Sequence, residues 1–532
     1  MSDLFLPCHG ESDVSLASKA YYGIGGVARF FALPEALSEL SDLLIWNRKH
    51  RFPLALMGSG SNILFSDLDF PGIVISLESM QRLFWLSDDE LFCEAGVENT
   101  LIAEELFSVG KGGGEWLYRL PGQIGATVRM NGRCFGGEVS AVTSGILTLS
   151  VDGQLRWRLP DEVFLGYKQT SLMGNPEIVV AVVLRFPVSR PAGEIRKSMR
   201  GYEEERTKKH HFDFPSCGST FKNNYVAGRP SGIIFEELGF KGEKEGGAMV
   251  SEHHANFIYN RAGATAEDVL RLAARMRTAA LEKAGVELDL EVQCVGLFDA
   301  DLLASCGVGF VADSREKLKG WSGLLWNPEG DQHPKHLFPR LLMQGPLAGY
   351  SGLDREFPSG VVVEVEQLCS LKDAAAAPEA PFLRWTTRCA HEHAVFSVKA
   401  PSPGGFTDEL WQYSVSELFI SGLGGYLEFE MTPDGHWVAL RFDAPRKRTK
   451  GYEVLSAEPW TTGVRLLLDD GCFGMEFSFQ LLHPFINEGE MLALQCCASS
   501  GRGEFGLFPW WHVPSSPADF HQPDRFFRMC LL

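Results

Sequence analysis

Two glycine-rich segments in the first 150 residues have the composition of anion-binding loops. The first, Gly58-Ser59-Gly60-Ser61-Asn62, follows a predicted strand that ends at Met57. The second is Pro121-Gly122-Gln123-Ile124-Gly125, followed by Asn131. Glycines let successive backbone N–H groups approach a phosphate closely. The first segment matches neither GxGxxG nor a Walker loop with Lys, so a Rossmann site is not supported. Taken alone, each segment is more typical of an ordinary glycine-rich turn or loop.

Two further positions have residue types suited to acid–base chemistry. The segment Ser216-Cys217-Gly218-Ser219-Thr220-Phe221-Lys222-Asn223 places hydroxyls beside a cation, which suits proton donation or anion binding. Glu291 lies in an apolar stretch between Leu290 and Val292, a setting in which a carboxyl can act as acid or base. The plainer alternatives are a capped turn for the first feature and an outward-facing strand residue for the second.

Length and charge limit the classes of protein to which this chain can belong. Its 532 residues predict three or more domains, and 68 acidic against 49 basic residues argue against a general nucleic-acid binder. We find no secretory signal and no apolar run near the ~20 residues of a membrane helix, so we expect a cytoplasmic protein without a membrane span. The 12 cysteines show no CxxC pair, which favours reduced core thiols and no metal site.

The elements that must position these residues differ between the two parts of the chain. Before about Ala300 helices and strands alternate, and the clearest helix is Thr265 to Gly285, with a capping-box pattern at its start. After Gln344 short alternating strands separated by turns predict a β-sandwich. We interpret the alanine run Ala374 to Ala377 as a loop. The loss of pattern after Ala300 predicts that residues 1–300 fold without the rest.

The order of the motifs is more informative than any one of them. Along the chain they are Tyr22-Gly23-Ile24-Gly25-Gly26, the GSGSN loop, PGQIG with Asn131, CGSTFKN, Gly246-Gly247-Ala248 with Ser251 to Phe257, and Leu288 to Val292. Together they resemble the UDP-N-acetylenolpyruvoylglucosamine reductase (MurB) family over about residues 18 to 297. The stretch Ser251 to Ile258 and the CGSTFKN segment carry the most specific part of this resemblance.

The resemblance implies an α+β fold and a reaction. We expect a two-lobed FAD-binding domain of the vanillyl-alcohol-oxidase type at 18–190 and an α/β substrate-binding domain at 191–298. A linker or irregular connection at 299–344 and an all-β sandwich at 345–532 would follow. The family uses FAD and NADPH to reduce an enolpyruvyl UDP-sugar nucleotide to UDP-N-acetylmuramate in peptidoglycan precursor synthesis.

The resemblance also implies roles for individual residues. Ser219 matches the family's proton donor, Glu291 the carboxyl that assists at the enolate, and Lys168 the cation on the substrate carboxylate. Expected substrate contacts are Tyr167, Lys222 and Asn223. Expected cofactor contacts are Gly58, Ser59, Gly60, Ser61, Asn62, Pro121, Gly122, Gly125 and Asn131.

Three departures from the family pattern bear on activity. Lys168 stands where the family usually has Arg, which keeps the charge and loses the bidentate fork. Arg133 replaces a small residue, where it could crowd the flavin pocket or supply a cation, and Asn224 replaces the proline of FKNP. A catalytically degenerate protein that binds a UDP-sugar or glycan on the same fold is therefore the alternative.

The C-terminal part has a second resemblance, to DOMON-like domains, a group of β-sandwiches that bind sugars or haem. Its motifs are Leu410-Trp411-Gln412 with Ser416 to Ile420, Tyr426 to Glu430, Pro433 to Arg448 and Ala518 to His521. A glycan ligand is possible through Trp411, Trp437, Trp510 and Trp511, although aromatic residues in a sandwich more often form the core. His393, His436 and His521 are conceivable metal or haem ligands, but no spacing supports that role.

Overall fold

The computed structural model describes residues 5–210 and 213–308 almost without interruption. Beyond them it describes 321–326, 340–346, 348–349, 361–369, 371–389, 405–406, 410–422, 425–449, 463–469, 471–483, 491–500, 505–508 and 526–530.

The first 190 residues form two lobes, each built on its own sheet. The strands are β1 (Gly10–Ser15), β2 (Val27–Ala32), β3 (Leu54–Met57), β4 (Ile63–Phe65), β5 (Phe70–Ser76), β6 (Leu83–Trp85), β7 (Glu90–Glu94), β8 (Arg133–Cys134), β9 (Gly137–Glu138), β10 (Thr143–Ser150), β11 (Leu155–Arg158), β12 (Phe164–Gly166), β13 (Gln169–Thr170) and β14 (Glu177–Arg185). The helices are α1 (Leu37–His50), α2 (Asn99–Ser108), α3 (Ile124–Arg129) and α4 (Pro160–Val163). The first lobe contains the order β1-β2-β5-β3, and the second contains β6-β7-β14-β10-β11.

Residues 191–308 pack helices against short strands. The helices are α5 (Ala192–Lys208), α6 (Ser231–Glu237), α7 (Ala266–Ala284) and α8 (Ala300–Ser305), and the strands are β15 (Lys244–Glu245), β16 (Ala248–Val250), β17 (Ile258–Asn260) and β18 (Gln293–Leu297). The predicted helix after Thr265 is confirmed. The Thr265 hydroxyl accepts from the N–H of Asp268, and Gly285 ends the helix in the left-handed region, as a C-terminal glycine commonly does. Strand β18 runs parallel to β4, which ties this part to the first lobe.

The described part of the C-terminal region is predominantly β-structure. Its strands are β19 (Trp321–Ser322), β20 (Leu324–Trp326), β21 (Arg340–Pro346), β22 (Ala348–Gly349), β23 (Val361–Gln367), β24 (Pro381–Cys389), β25 (Gly405–Phe406), β26 (Ser414–Gly422), β27 (Gly425–Met431), β28 (His436–Ala444), β29 (Lys447–Arg448), β30 (Val464–Asp469), β31 (Cys472–Ser478), β32 (Met491–Ser500), β33 (Phe505–Phe508) and β34 (Phe527–Cys530). Two short helices, α9 (Leu371–Ala376) and α10 (Phe479–Leu482), interrupt them. The interpretation of the alanine run as a loop is therefore wrong, since α9 includes most of it.

Two sheets carry most of these strands. One has the order β22-β33-β32-β26-β27-β28-β25, and the other continues the second lobe as β11-β21-β23-β24-β31-β30. The sheets contact each other through the tilted rings of Phe429 and Phe477, with centroids 4.3 Å apart, and through a hydrogen bond of 2.7 Å between the Thr387 and Ser416 hydroxyls. Antiparallel pairing dominates this region, as its alternating sequence indicates.

The C-terminal region is joined to the first half by main-chain pairing. Strand β21 pairs in parallel with β11, with Leu155 opposite Met343, and β20 pairs with β3, with Leu324 opposite Ala55. One hydrophobic cluster contains Leu147 and Trp385 together with residues from both halves. The described parts of 299–344 thus contain α8, β19, β20 and most of β21.

Candidate active site

The GSGSN and PGQIG loops meet at the end of β3. The Ser61 hydroxyl lies 3.4 Å from the carbonyl oxygen of Pro121 and also 3.4 Å from the Ser59 hydroxyl. Gly60 has φ +70°, and its carbonyl oxygen accepts from the N–H of Tyr21. A Cβ at Gly60 would lie 2.8 Å from the oxygen of Lys19, so only glycine allows this turn.

The PGQIG loop is held by the start of two helices. The carbonyl oxygen of Gly122 accepts from the N–H of Asn99 at 3.1 Å, and the Asn99 amide donates to the Thr127 hydroxyl at 2.9 Å. The N–H of Ile124 donates to the oxygen of Val97 as α3 begins. This network fixes the loop before any ligand binds, which lowers the cost of ligand binding.

The two loops pack closely on each other and on α3, and together with the cavity beside them they form the candidate cofactor cradle. A Cβ at Gly58 would lie 3.0 Å from the Cβ of Ala126, and one at Gly122 would lie 3.3 Å from the Ser61 hydroxyl. A cavity of about 670 Å³ lies beside them. Its lining includes Ser59 and Gln123 from the loops, one cation, Lys19, and three carboxylates, Glu35, Glu78 and Glu98. That volume lies within the range of ligand pockets, about 300–1,000 Å³.

Asn131, just after the end of α3, presents a free acceptor. Its side-chain amide donates to Glu138 Oε1 at 2.7 Å and to the carbonyl oxygen of Gly166 at 2.9 Å. Its Oδ1 atom is buried and has no hydrogen-bond partner among the described residues. Because an unsatisfied buried acceptor costs about 1–3 kcal/mol, a bound donor group is the natural partner for this atom. The cradle and this acceptor together fit a bound FAD.

Lys168 and Glu291, which are far apart in sequence, form an ion pair. Lys168 Nζ lies 2.7 Å from Glu291 Oε1, and the two side chains are only 12% and 15% exposed. Lys168 lies in the two-residue turn between β12 and β13 with φ +53°. A lysine rarely adopts this left-handed backbone, so the surrounding structure imposes the conformation.

The backbone around Glu291 is fixed by both of the predicted binding segments. Its N–H donates to the oxygen of Thr220 at 2.8 Å, next to Ser219. Its carbonyl oxygen accepts from the side chain of Asn62 at 3.1 Å. Asn62, expected to contact the cofactor, therefore connects the GSGSN loop to the carboxyl-bearing residue.

Ser219, Lys222 and Asn223 lie on a segment that pairs with two other stretches of chain. The backbone of Ser219 forms an isolated antiparallel β-bridge with that of Phe257, and the N–H of Lys222 donates to the carbonyl oxygen of Asp289. Across the described ranges we find no hydrogen-bond partner for the Ser219 hydroxyl and no ion-pair partner for Lys222. Asn223 Oδ1 accepts from the N–H of Ser231 as α6 begins. The hydroxyl of Ser219 and the ammonium of Lys222 are thus available to a ligand, on a segment whose backbone pairs with that of Glu291.

Comparison with known proteins agrees with this geometry. A family model described as an FAD binding domain matches residues 28–157, and the C-terminal domain of UDP-N-acetylenolpyruvoylglucosamine reductase matches 210–295. The reductase of Syntrophomonas wolfei is 34% identical over 275 residues, which are 52% of this chain and 91% of that protein. The reductase of Pelobacter propionicus is 36% identical over 273 residues, 51% of this chain and 91% of that protein.

This chain belongs to the UDP-N-acetylenolpyruvoylglucosamine reductase family. It is an FAD-dependent oxidoreductase, with an FAD-binding domain followed by the reductase C-terminal domain. The crystal structure of the Thermus caldophilus reductase is 30% identical and has a TM-score of 0.46, covering 54% of this chain and 98% of that one. The second family model ends at residue 295, and neither model extends into the antiparallel sheets beyond it.

A tyrosine pair and an arginine lie beside the Lys168 turn of the reductase. Tyr167 and Tyr225 pack edge to face with centroids 4.8 Å apart, and the guanidinium of Arg133 lies 6.0 and 5.8 Å from their rings. Burial raises the pKa of Tyr167 above its ordinary value, and Glu291 and Tyr225 add to that shift. Tyr167 therefore keeps its proton at neutral pH and can donate it in a hydrogen bond.

The reductase structure brings together most of the residues predicted from its sequence, and it adds two. The catalytic candidates Lys168 and Glu291 form an ion pair, and the backbone of Glu291 is hydrogen-bonded to Thr220, the residue after Ser219. The GSGSN loop, which ends at Asn62, meets the PGQIG loop. Tyr225 and Asn99 were missed, because their positions depend on contacts with distant residues. The side chain of Arg133 is exposed, so it lies at the surface over the tyrosines.

The other sequence hypotheses have mixed outcomes. Trp437 is buried, which leaves its ring in the core, and His436 is buried at the start of β28. The side chain of Trp411 and the residues Trp510, Trp511, His393 and His521 lie outside the described part of the chain.

The described cysteines are free thiols, and most of them are buried. Within the described ranges, none of the helices combines the length and apolar composition needed to cross a bilayer.

Proposed function

We infer that this chain reduces UDP-N-acetylenolpyruvoylglucosamine to UDP-N-acetylmuramate in peptidoglycan precursor synthesis, with NADPH as the reductant. The observation that carries the assignment of roles is the mostly buried ion pair between Lys168 and Glu291, beside the segment that contains Ser219. The two glycine-rich loops would hold FAD, and this group, when bound, would supply the transfer of hydride from NADPH to the substrate alkene.

Lys168 is proposed to stabilise the negative charge that develops next to the substrate carboxylate. An ammonium has three N–H donors, and one of them is used on Glu291. The others can bind the carboxylate, and in a mostly buried site a fixed cation of this kind stabilises an enolate strongly. Glu291 holds the ammonium in place and so orients this charge.

Ser219 is proposed to donate the proton that completes the reduction. A hydroxyl is a weak acid, so proton transfer from it requires an adjacent developing carbanion and a short contact. The lack of a hydrogen-bond partner among the described residues leaves this group available to substrate. Hydride adds to one alkene carbon and the Ser219 proton to the other, so the product gains two hydrogens.

Lys222, Asn223 and Tyr167 are proposed to hold the sugar nucleotide. Lys222 is half-buried and lacks an ion-pair partner in the described part of the structure, which suits a phosphate oxygen. Tyr167 offers a phenol donor beside it. The positive charge of Lys222 acts on a ligand at short range, whereas salt screens the distant charges. The net charge of −19 for the whole chain therefore does not prevent an anionic substrate from binding.

Two further assignments extend beyond the reductase part. We propose that the protein works in the cytoplasm, where NADPH and UDP-sugars are dissolved. We also propose that the C-terminal sheets form a DOMON-like sandwich with a glycan ligand. Because Trp437 is buried, sugar stacking would depend on Trp411, Trp510 and Trp511. Binding of peptidoglycan fragments by the full chain, lost on substitution of Trp510 and Trp511, tests this assignment.

The activity is tested with the purified full chain, NADPH and the enolpyruvyl sugar nucleotide. We expect NADPH oxidation that depends on substrate, together with a product two hydrogens heavier by mass spectrometry. A protein that binds the sugar nucleotide but never consumes NADPH would instead be the catalytically degenerate binder.

A further inference from the structure

Two histidines and an aspartate outside the candidate active site lie close enough to share one metal ion. The imidazole rings of His210 and His253 stack with centroids 3.6 Å apart. His210 Nδ1 lies 2.6 Å from Asp213 Oδ2. One potential ligand atom from each of the three residues lies within 4.8 Å of the other two. The histidines come from different segments, one just after α5 and the other after β16.

Hydrogen bonds hold these two segments together without any ion. The N–H of His253 donates to the Ser251 hydroxyl, which donates to the Tyr259 hydroxyl at 3.0 Å. The Tyr259 hydroxyl in turn donates to the carbonyl oxygen of His210 at 2.8 Å. The backbone distance between the histidines is therefore set by the fold, so an ion would require only rotation of the side chains to be bound by both.

The donor set selects a class of metal. Two imidazoles and one carboxylate suit Zn²⁺, Co²⁺ and Ni²⁺, whereas Ca²⁺ and Mg²⁺ prefer oxygen ligands. His210 and Asp213 are 39% and 43% exposed, so an ion can reach them and the rings have room to turn from the stacked position. Three protein ligands leave one tetrahedral position for water.

We propose that His210, Asp213 and His253 bind a divalent transition-metal ion, of which Zn²⁺ is the probe of choice. The ion would fasten two segments that flank Ser219. One leads from His210 into the CGSTFKN stretch, and the other contains Phe257, which forms a bridge with Ser219. The N–H of Asn260 also donates to the oxygen of Pro215 between these segments. This site rests on contacts of the chain itself and is independent of the proposed reductase activity.

The proposal is tested by metal titration of the full chain after removal of metal with a chelator. Isothermal titration with Zn²⁺ and the visible absorption of bound Co²⁺ are measured for the parent, His253→Gln and Asp213→Asn. We expect the parent to bind one more equivalent of Zn²⁺ than either variant. The control is His9→Gln, at an exposed position elsewhere, which should bind as much Zn²⁺ as the parent. His253→Cys offers a different metal ligand and should retain binding with an altered Co²⁺ spectrum.

Two results would overturn the proposal. One is a parent protein that takes up no Zn²⁺, and the other is unchanged stoichiometry in both His253→Gln and Asp213→Asn. Circular dichroism melting of each metal-free variant shows whether it is folded. If one of the two variants fails to fold, the other gives the same comparison.

Discussion

Lys168 and Glu291 form an ion pair of 2.7 Å across 123 residues of sequence, at the place where the GSGSN loop and the CGSTFKN segment meet. The pair joins the two parts of the reductase, because Lys168 follows β12 whereas Glu291 precedes β18. The family usually has Arg at the lysine position. Lys168 is mostly buried and paired with Glu291, whereas the side chain of Arg133 is exposed. This difference favours Lys168 as the catalytic cation.

Replacing Lys168 by Met should lower kcat/KM severely. Loss of one group that stabilises developing negative charge typically costs about 10²–10³-fold in rate. Lys168→Arg should be at least as active as the parent, because the guanidinium adds a parallel donor. Steady-state kinetics of both variants measure this effect, with Arg133→Met as the control. A silent Lys168→Met beside an inactive Arg133→Met would mean that Arg133 has taken over the role.

Replacing Ser219 by Ala should separate the two half-reactions. The flavin should remain bound and still be reduced by NADPH, while product formation falls by about 10²–10⁴-fold, the usual contribution of general acid catalysis. Rapid-mixing spectroscopy follows each half-reaction separately. Ser219→Cys keeps a donor and should recover part of the activity. Turnover of Ser219→Ala within a few-fold of the parent would remove this residue from the mechanism.

A side chain at Gly122 should prevent cofactor binding. This residue has φ +120°, and its Cβ would meet the Ser61 hydroxyl at 3.3 Å. A valine is strained in that conformation and would fill the cradle between the loops. We expect Gly122→Val to be purified without flavin absorbance. The control is Gly201→Ala on α5, where no atom lies within 4 Å of the added Cβ. Equal flavin content in the two variants would exclude this cradle as the cofactor site.

His254 should make the protein less stable in mild acid. Burial, helped by the charge of Lys209, lowers the pKa of His254 from its ordinary 6.5 to about 4. Between these values the unfolded chain binds more protons than the native chain, so stability falls as the pH falls. The loss is up to about 3 kcal/mol by pH 4.

Urea unfolding of the parent and His254→Gln at several pH values measures this contribution. Subtracting the two curves of unfolding free energy against pH removes the contributions of other buried groups. One such group is Glu417, whose pKa is raised to about 7 by burial. We expect the difference to change between about pH 6.5 and 4 and to be constant above pH 7. A difference that does not vary with pH would show that His254 titrates normally.

A fragment of residues 1–308 should bind flavin but be less stable than the full chain. It retains both matched domains, yet β3 and β11 lose their partner strands β20 and β21. Unpaired strand edges favour association with other chains. We expect a lower melting temperature and partial self-association by light scattering. Equal melting temperatures for the fragment and the full chain would show that the C-terminal strands do not stabilise the reductase part.

Local signals in the sequence were enough to predict several elements. The capping residues Thr265 and Asp268 define the start of α7, and Gly285 its end, because capping acts within a few residues. The alanine run was misread as a loop, although alanine has the highest intrinsic helix propensity. The candidate site residues were predicted from the order of the motifs, since each motif alone is also typical of an ordinary turn.

Long-range pairing could not be predicted in the same way. The parallel contact of β11 with β21 depends on tertiary packing that no local pattern specifies. The conformation of Lys168, with φ +53°, is likewise imposed by its surroundings. For the same reason the ion pair with Glu291, the role of Asn62 in holding Glu291 and the contact of Tyr225 with Tyr167 became visible only in three dimensions.

The most direct test of the reductase function is the oxidative half-reaction without oxygen. The full chain is reduced with one equivalent of NADPH, and the enolpyruvyl sugar nucleotide is then added while the flavin absorbance is recorded. We predict rapid recovery of the oxidised flavin spectrum, with formation of one equivalent of UDP-N-acetylmuramate. A flavin that stays reduced in the presence of bound sugar nucleotide would contradict the account.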